Sequence, residues 1–367
     1  VAVPPAHEAP QEEALWRLPG TVRGRDVKLK GSKGGAALSP GAKARLRRIV
    51  QRTPEAMVKL TGRSRGGAGH LKSHLDYITR NGKLTAETQD GEKIMDRVRL
   101  RELHDDWLLA NAAEQRGRPS PNAAQSVAII LSMPPGTPPD RVEAAARTWA
   151  RDTLGGRYDW IMARHDDTKH PHVHVTVRAV GYDGRRLAPG PDDLQQWRER
   201  FARELRRLGV EAEATPRQAR GVVRKKPQAA ILGMERRGVE PRVQRRDQQA
   251  AEREVRAANP AHPRYWSRDI QARQDSIRRA YLAHADTLEH GDAADRRLAR
   301  DIRRFVADMP VPLTRRQALA VELRAVLDRR QRRGSPSPAP APSPSRPEGL
   351  HRASPSLGPE PPRRPKR

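Results

Sequence analysis

The run His172–Val177 alternates histidine or threonine with valine, and that alternation restricts the segment to a β-strand. β-Branched residues favour strands, and successive side chains of a strand point to opposite faces. We therefore expect His172, His174 and Thr176 to share one face. The three valines then share the other face and pack a hydrophobic core.

Four of the 12 histidines lie within the ten residues from His165 to His174. Two imidazoles on one strand face, with more histidines and an acid just upstream, are typical of a divalent-metal site. His172 and His174 are the strongest ligands by this geometry, while His165 and His170 compete for a third position. Asp167 is a ligand, a residue that orients a ligand, or a general base. An acid favours a harder ion, so we expect Mg²⁺ or Mn²⁺, although the sequence does not choose the ion.

The net charge of +28 and a pI near 11.3 indicate a polyanionic partner, with nucleic acid as the first expectation. The absence of cysteine excludes disulfides, thiolate catalysis and cysteine zinc fingers. The sequence contains no long apolar run and no signal-peptide core, so we expect a cytoplasmic protein without a membrane span.

Tyr77 is the candidate nucleophile, since the chain lacks cysteine and has no serine in a nucleophile-elbow pattern. It lies near the end of a predicted amphipathic helix from about 68 to 80, beside basic groups. A free phenol has a pKa near 10, so attack at neutral pH needs a base or a nearby positive charge. A packing role at the helix boundary is the alternative that spacing alone favours.

Basic residues near glycine turns or after the last core helix are candidates for DNA-phosphate contacts. Two lie in the turn after the first predicted strand, one follows a Gly-Gly pair, and four form a late basic cluster. They are Arg63, Arg65, Arg157, Arg220, Arg224, Lys225 and Lys226.

Changes in composition divide the chain into four regions. Residues 1–54 form a basic flexible leader, with one short helix at about 42–51, and 55–235 carry the best strand and helix patterns. Residues 236–333 are Arg-rich and helical, and the Pro/Ser/Arg-rich tail at 334–367 should be disordered. The element order of 55–235 is roughly β-α-α-β-α-β-β-α, which predicts an α/β two-layer sandwich with a mostly antiparallel sheet.

Two separate motifs resemble those of VirD-type conjugative relaxases, or mobilisation nucleases. The stretch Leu75–Leu84 resembles the family's nucleophile motif, and Gly155–His174 resembles the strand and histidine motif that follow. Ile129–Thr137 is also similar, and Arg220–Gly221 followed by Lys226–Pro227 resembles the end of the family's domain, so the resemblance covers about residues 55–240.

The resemblance implies an HUH-like relaxase domain with a central antiparallel sheet. It implies a site- and strand-specific nick in single-stranded DNA at an origin of transfer, leaving the 5′ end linked to tyrosine. Tyr77 would then be the nucleophile, and Asp167 with His165, His170, His172 and His174 would form the metal and acid–base site.

The expected partners of such an enzyme are relaxosome accessory proteins and a type IV secretion coupling protein. Export with the DNA through the secretion channel is expected, and the basic end of the tail, Pro361–Arg367, fits either an export signal or nonspecific DNA binding. Two alternatives stay open at this point. One is a rolling-circle replication-type nicking enzyme, and the other is a nonenzymatic relaxosome DNA-binding protein.

Overall fold

The computed structural model describes residues 38–65, 67–117, 122–222, 229–257 and 265–334. Most of the predicted leader and nearly all of the predicted tail lie outside these ranges. The strands are β1 Met57–Arg63, β2 Ala86–Thr88, β3 Lys93–Ile94, β4 Ser126–Ser132, β5 Trp160–His165 and β6 His172–Arg178. The helices are α1 Pro40–Val50, α2 Gly67–Ile78, α3 Arg97–Glu114, α4 Pro139–Leu154, α5 Pro191–Arg207, α6 Ala229–Arg236, α7 Arg242–Arg256, α8 Tyr265–Glu289, α9 Ala293–Ala307 and α10 Arg315–Gly334.

The six strands form one open sheet in the order β1-β4-β6-β5-β2-β3. Every pairing between neighbouring strands is antiparallel, which confirms the predicted central antiparallel sheet. β6 lies inside the sheet, and Val173, Val175 and Val177 are fully buried. The alternation of the sequence therefore gives the expected two faces.

Helices cover both faces of the sheet, which corrects the expected two-layer arrangement. On one face α4 and α5 pack on the β6 valines, around Trp149 and Phe201. On the other face α2 and α3 pack on β5, β2 and β3, around Ile161 and Trp107. The apolar stripe of each helix predicts that the helix packs on the sheet, but it carries no information about which face it covers.

Two predicted elements differ from the structure. The sequence pattern predicts a helix from Lys93 to Ala110, but α3 begins only at Arg97, because Lys93–Ile94 pairs with β2 and Asp96 caps the helix. The Asp96 carboxylate accepts hydrogen bonds from the backbone N–H groups of Val98 and Arg99. The turn Gly181–Gly184 also predicts a partner strand after it, but the structure has only a single bridge there, between Val180 and Arg186.

Helix α1 packs against helices that lie far along the chain. Leu46 and Ile49 are buried in one hydrophobic cluster with residues of α8 and α9, among them Tyr281 and Phe305. The polar side of α1 holds the buried Glu213, which accepts a hydrogen bond from Arg48. The division of the chain into leader, nuclease domain, accessory region and tail stays a prediction.

The packing of α1 has a measurable consequence. We expect Leu46→Ala to lower the free energy of unfolding by about 2–5 kcal/mol, because the substitution leaves a cavity in a fully packed cluster. Chemical denaturation monitored by circular dichroism checks this. The exposed neighbour Arg47 is the control, and Arg47→Ala should have almost no effect. Equal stability of L46A and the parent would mean that α1 is a dispensable leader.

Helices α7 and α10 belong to a second compact unit, whose described residues are 240–257 and 316–334. Within it, Arg316 pairs with Glu254 at 3.2 Å, and Ala251, Ala318 and Ala320 are buried. Among the described helices of the chain, none combines the length and apolar character needed to cross a membrane.

Candidate active site

Three histidines converge on the sheet face that carries α2. His165 of β5 and His172 of β6 are direct cross-strand partners, and His174 follows two residues along the same face. One ring nitrogen of each lies within 4.8 Å of the others, and all three side chains are buried. The pleat and the register of one hairpin are therefore enough to assemble a three-imidazole cluster.

Backbone carbonyls orient two of these rings. Nε2 of His165 donates to the carbonyl of Ile78 at 2.7 Å, and Nδ1 of His172 donates to the carbonyl of His170 at 2.9 Å. In the neutral form of each ring, this arrangement leaves an electron pair on Nδ1 of His165 and on Nε2 of His172. Bonds of this kind to the second nitrogen are the usual support of metal-binding histidines.

His174 supplies the observation that fits a metal best. Its Nε2 is buried and has no hydrogen-bond partner among the described residues. Burial, followed by the effect of the neighbouring His165 and His172, lowers the pKa of His174 to about 3. The ring is therefore neutral at pH 7, which is the form that binds a metal, and a bound ion would satisfy the orphaned nitrogen.

Tyr77 lies in the last turn of α2 beside this cluster. Its ring centroid lies 5.9 Å from that of His165 and 5.7 Å from that of His174. The side chain is 51% exposed, so an incoming strand of nucleic acid can reach the hydroxyl. The structure thus brings the predicted nucleophile and three of the predicted ligands into one site.

Three other tyrosines are poorly placed for nucleophilic attack. Tyr158 and Tyr281 are buried. Tyr182 is exposed, but burial of its hydroxyl and its hydrogen bond to Asp159 raise its pKa well above the ordinary value. Such a phenol resists the deprotonation that nucleophilic attack requires.

Arg80 is a site residue that the sequence reasoning missed. It and Asn81 adopt left-handed backbone conformations, with φ of 51° and 60°, directly after α2. Non-glycine residues rarely do so, and such strain is common at functional sites. The turn places the guanidinium 5.1 Å from the centre of the Tyr77 ring, where it also contacts Nδ1 of His165 at 3.4 Å and pairs with Asp167.

The remaining predicted residues of the histidine segment lie at the rim. The side chain of Asp167 is about half exposed and reaches the site only through its pair with Arg80. The side chain of His170 is exposed in the loop between β5 and β6, outside the three-histidine cluster. Only its backbone carbonyl takes part, by orienting His172.

The structure does not bring the predicted DNA-binding arginines to this cluster. Arg63 ends β1 in register with the far end of β6, and Arg65 follows it. Arg157 precedes β5 at the end opposite His165 and donates to the carbonyl of Thr153. Arg220 bonds the carbonyl of Thr53, and Arg224, Lys225 and Lys226 lie outside the described residues. Their roles in DNA binding stay predictions.

An open part of the sheet adjoins the site. Lys59 of β1, Ile130 of β4 and His174 of β6 form one cross-strand row on the same face. Lys59 is exposed and Ile130 is only partly buried, so this row is a solvent-accessible part of the sheet face next to the histidines. The apolar–polar alternation of Val58, Lys59 and Leu60 was the available signal, but the strand order was needed to place Lys59 there.

His74 is a second residue that the sequence reasoning missed. Its Nε2 lies 2.9 Å from the hydroxyl of Thr176, and its ring stacks near Tyr77 with centroids 6.5 Å apart. Burial, with a smaller effect of His70, lowers its pKa. The spacing of three residues before Tyr77 on a helix was the signal that could have found it.

Comparison with known proteins agrees with this geometry. Residues 77–209 match the family model "Relaxase: MobA/VirD2-like, nuclease domain". The centre of the chain is similar to MobA/VirD2-like relaxases. This match confirms the resemblance to VirD-type relaxases that the two sequence motifs indicate.

Curated relatives of this chain carry the name T-DNA border endonuclease VirD2. The protein from Rhizobium radiobacter is 29% identical over 166 residues, which cover 41% of this chain and 39% of the relative. Those from Agrobacterium fabrum and Rhizobium rhizogenes are each 28% identical over 166 residues, covering 37% and 38% of their own lengths. The alignments thus span about two fifths of the relatives.

Proposed function

We propose that this chain is a DNA relaxase that nicks one strand at a specific site by tyrosine transesterification. The single observation that carries the proposal is the position of Tyr77. It is exposed, lies in the last turn of α2, and packs against a buried cluster of three histidines within a segment similar to relaxase nuclease domains. The endonuclease relatives and the strongly basic chain support DNA as the substrate.

In the proposed reaction the Tyr77 oxygen attacks the scissile phosphorus. A phosphotyrosyl bond forms to the 5′ phosphate of the downstream fragment, and the bond from that phosphorus to the 3′ oxygen of the upstream fragment breaks. The phenol proton is transferred to a base, and the 3′ oxygen accepts a proton to become a free hydroxyl. A phosphotyrosyl ester retains the energy of the diester, so the nick can later be resealed.

The chain's own residues divide this work. His165, His172 and His174 hold the ion, and Arg80 neutralises negative charge beside the phenol. Asp167 holds Arg80 in place and is the proposed acid–base group at the rim. A divalent ion held there supplies Lewis-acid stabilisation of a phosphoryl oxygen.

The donor set bears on the choice of ion. Mg²⁺ prefers oxygen ligands, whereas imidazole nitrogens suit transition-metal ions. Three imidazoles without a carboxylate therefore favour Mn²⁺ over Mg²⁺ within the expected pair.

The proposed partners are single-stranded DNA at an origin of transfer, relaxosome accessory proteins and a type IV secretion coupling protein.

Covalent capture tests the proposed function without knowledge of the DNA site. Purified protein is mixed with a random-sequence single-stranded library and Mn²⁺, denatured in SDS, and freed of noncovalent DNA. We expect strands labelled at the 3′ end to stay attached and strands labelled at the 5′ end to be released. Sequencing the attached strands then gives the site. Recovery of no covalent DNA from a library that the protein binds would support a nonenzymatic DNA-binding protein.

Removal of Arg80 should slow this reaction. We expect Arg80→Gln to lower the rate of adduct formation about 10²-fold, or about 2.7 kcal/mol, because an aligned cation is lost from the reacting phosphate. Arg80→Lys should restore part of the rate. Lys83, an exposed cation three residues later, is the control, and K83Q should react normally. Equal rates for R80Q and K83Q would exclude a role for the guanidinium.

A further inference from the structure

A cavity lies on the side of α2 that faces α3, away from the histidine cluster. Its volume is about 140 Å³, far above the 10–15 Å³ that one water needs. Lys72, Asp76, Asn81, Arg97 and Arg101 provide its polar lining. Nothing in the proposed reaction uses this cavity.

The charge around the cavity is unbalanced. Lys72 and Asp76 neutralise each other across 3.1 Å, one turn apart on α2. Arg97 and Arg101 of α3 form no ion pair with any carboxylate in the described part of the chain. Arg97 is anchored instead through Nε, which donates to the carbonyl of Asn81 at 3.0 Å. Two guanidinium groups without acidic partners make the cavity a site for an anion, and guanidinium forks match phosphate oxygens.

The position of the cavity identifies the source of the phosphate. Asp76 immediately precedes Tyr77 in the chain, and Asn81 immediately follows Arg80. Site and cavity therefore flank the same end of α2, separated by about the 10–12 Å width of a helix. A short stretch of extended single strand spans that distance, so a strand held at Tyr77 can reach the cavity.

We infer that the cavity between α2 and α3 holds a backbone phosphate of the bound single strand, near the scissile one. This inference rests on the proposed function for its ligand. Arg97 and Arg101 bind the phosphate, and this contact fixes the path of the strand beyond the nucleophile. The contact is to the backbone, so it tracks any sequence and positions the strand for cleavage.

The salt dependence of DNA binding tests this inference. Binding of a fluorescent single-stranded oligonucleotide of mixed sequence is titrated at several NaCl concentrations, with Tyr77→Phe protein so that no strand is cut. One phosphate contact on a single strand contributes about 0.7 to the slope of log affinity against log salt. We expect R97Q/R101Q in this background to bind more weakly and to lose about 0.7 of the slope. Arg101→Gln alone, which leaves the Arg97–Asn81 bond intact, should show part of the loss.

The matched control removes the same charge from the opposite face of the sheet. Arg141 and Arg151 are exposed on α4, and R141Q/R151Q should keep the parental slope. Equal slopes for the two double variants would overturn the inference. Competition by inorganic phosphate, without any change of slope in R97Q/R101Q, would also overturn it, because the site would then serve a free anion. Failure of covalent capture, with the slope difference present, would count against the proposed nicking reaction alone.

Discussion

Tyr77→Phe should abolish covalent attachment of DNA while leaving DNA binding intact. The substitution removes one oxygen from a half-exposed side chain, so neither the fold nor the contacts of the ring with His165 and His174 should change. Loss of a nucleophile costs about four orders of magnitude in rate or more, equivalent to roughly 5 kcal/mol of transition-state stabilisation. Covalent capture of single-stranded DNA in SDS measures this directly.

Tyr182 offers a matched control for this experiment. Its side chain is 50% exposed, almost the same fraction as that of Tyr77, but its hydroxyl is bound to Asp159. Tyr182→Phe should therefore form the adduct at the parental rate. If Y77F formed the adduct and Y182F did not, Tyr182 would be the nucleophile. An adduct that survived in both variants would exclude these two exposed tyrosines.

The sequence predicted the centre of the site because the pleat is a local property. The alternation from His172 to Val177 sets which side chains share a face, and the hairpin register then adds His165. His170 could not be placed in this way. The conformation of the loop between β5 and β6 decides whether its ring turns inward, and no periodic pattern reports on that conformation.

Arg80 and Lys59 show what the sequence could not reveal. Arg80 reaches Tyr77 only because two successive residues adopt left-handed backbone conformations. A sequence without glycine at such positions seldom predicts these conformations. Lys59 lies in the same row as His174 only because β4 separates β1 from β6. Strand order and the face that each helix covers are decided by long-range packing, which local patterns do not specify. For the same reason α3 on the site face was not foreseen.

His174→Leu should remove metal binding without harming the fold. The buried Nε2 of His174 has no hydrogen-bond partner among the described residues, so replacing the ring by an apolar group of similar size removes an unsatisfied nitrogen. In the absence of metal we expect the variant to be at least as stable as the parent. Loss of one of three ligands should weaken Mn²⁺ binding more than 100-fold, since loss of a supporting residue alone costs 10–100-fold.

The two effects have opposite signs, and this makes the experiment decisive. Mn²⁺ at about 100 times its Kd should stabilise the parent by about 2.7 kcal/mol in thermal unfolding, and H174L should lose this gain together with adduct formation. His170→Leu is the control, because His170 belongs to the same segment but its ring lies outside the cluster. H170L should therefore keep both. Metal-induced stabilisation that survived in H174L and vanished in H170L would place the ion in the exposed loop. It would then leave the buried nitrogen of His174 without an explanation.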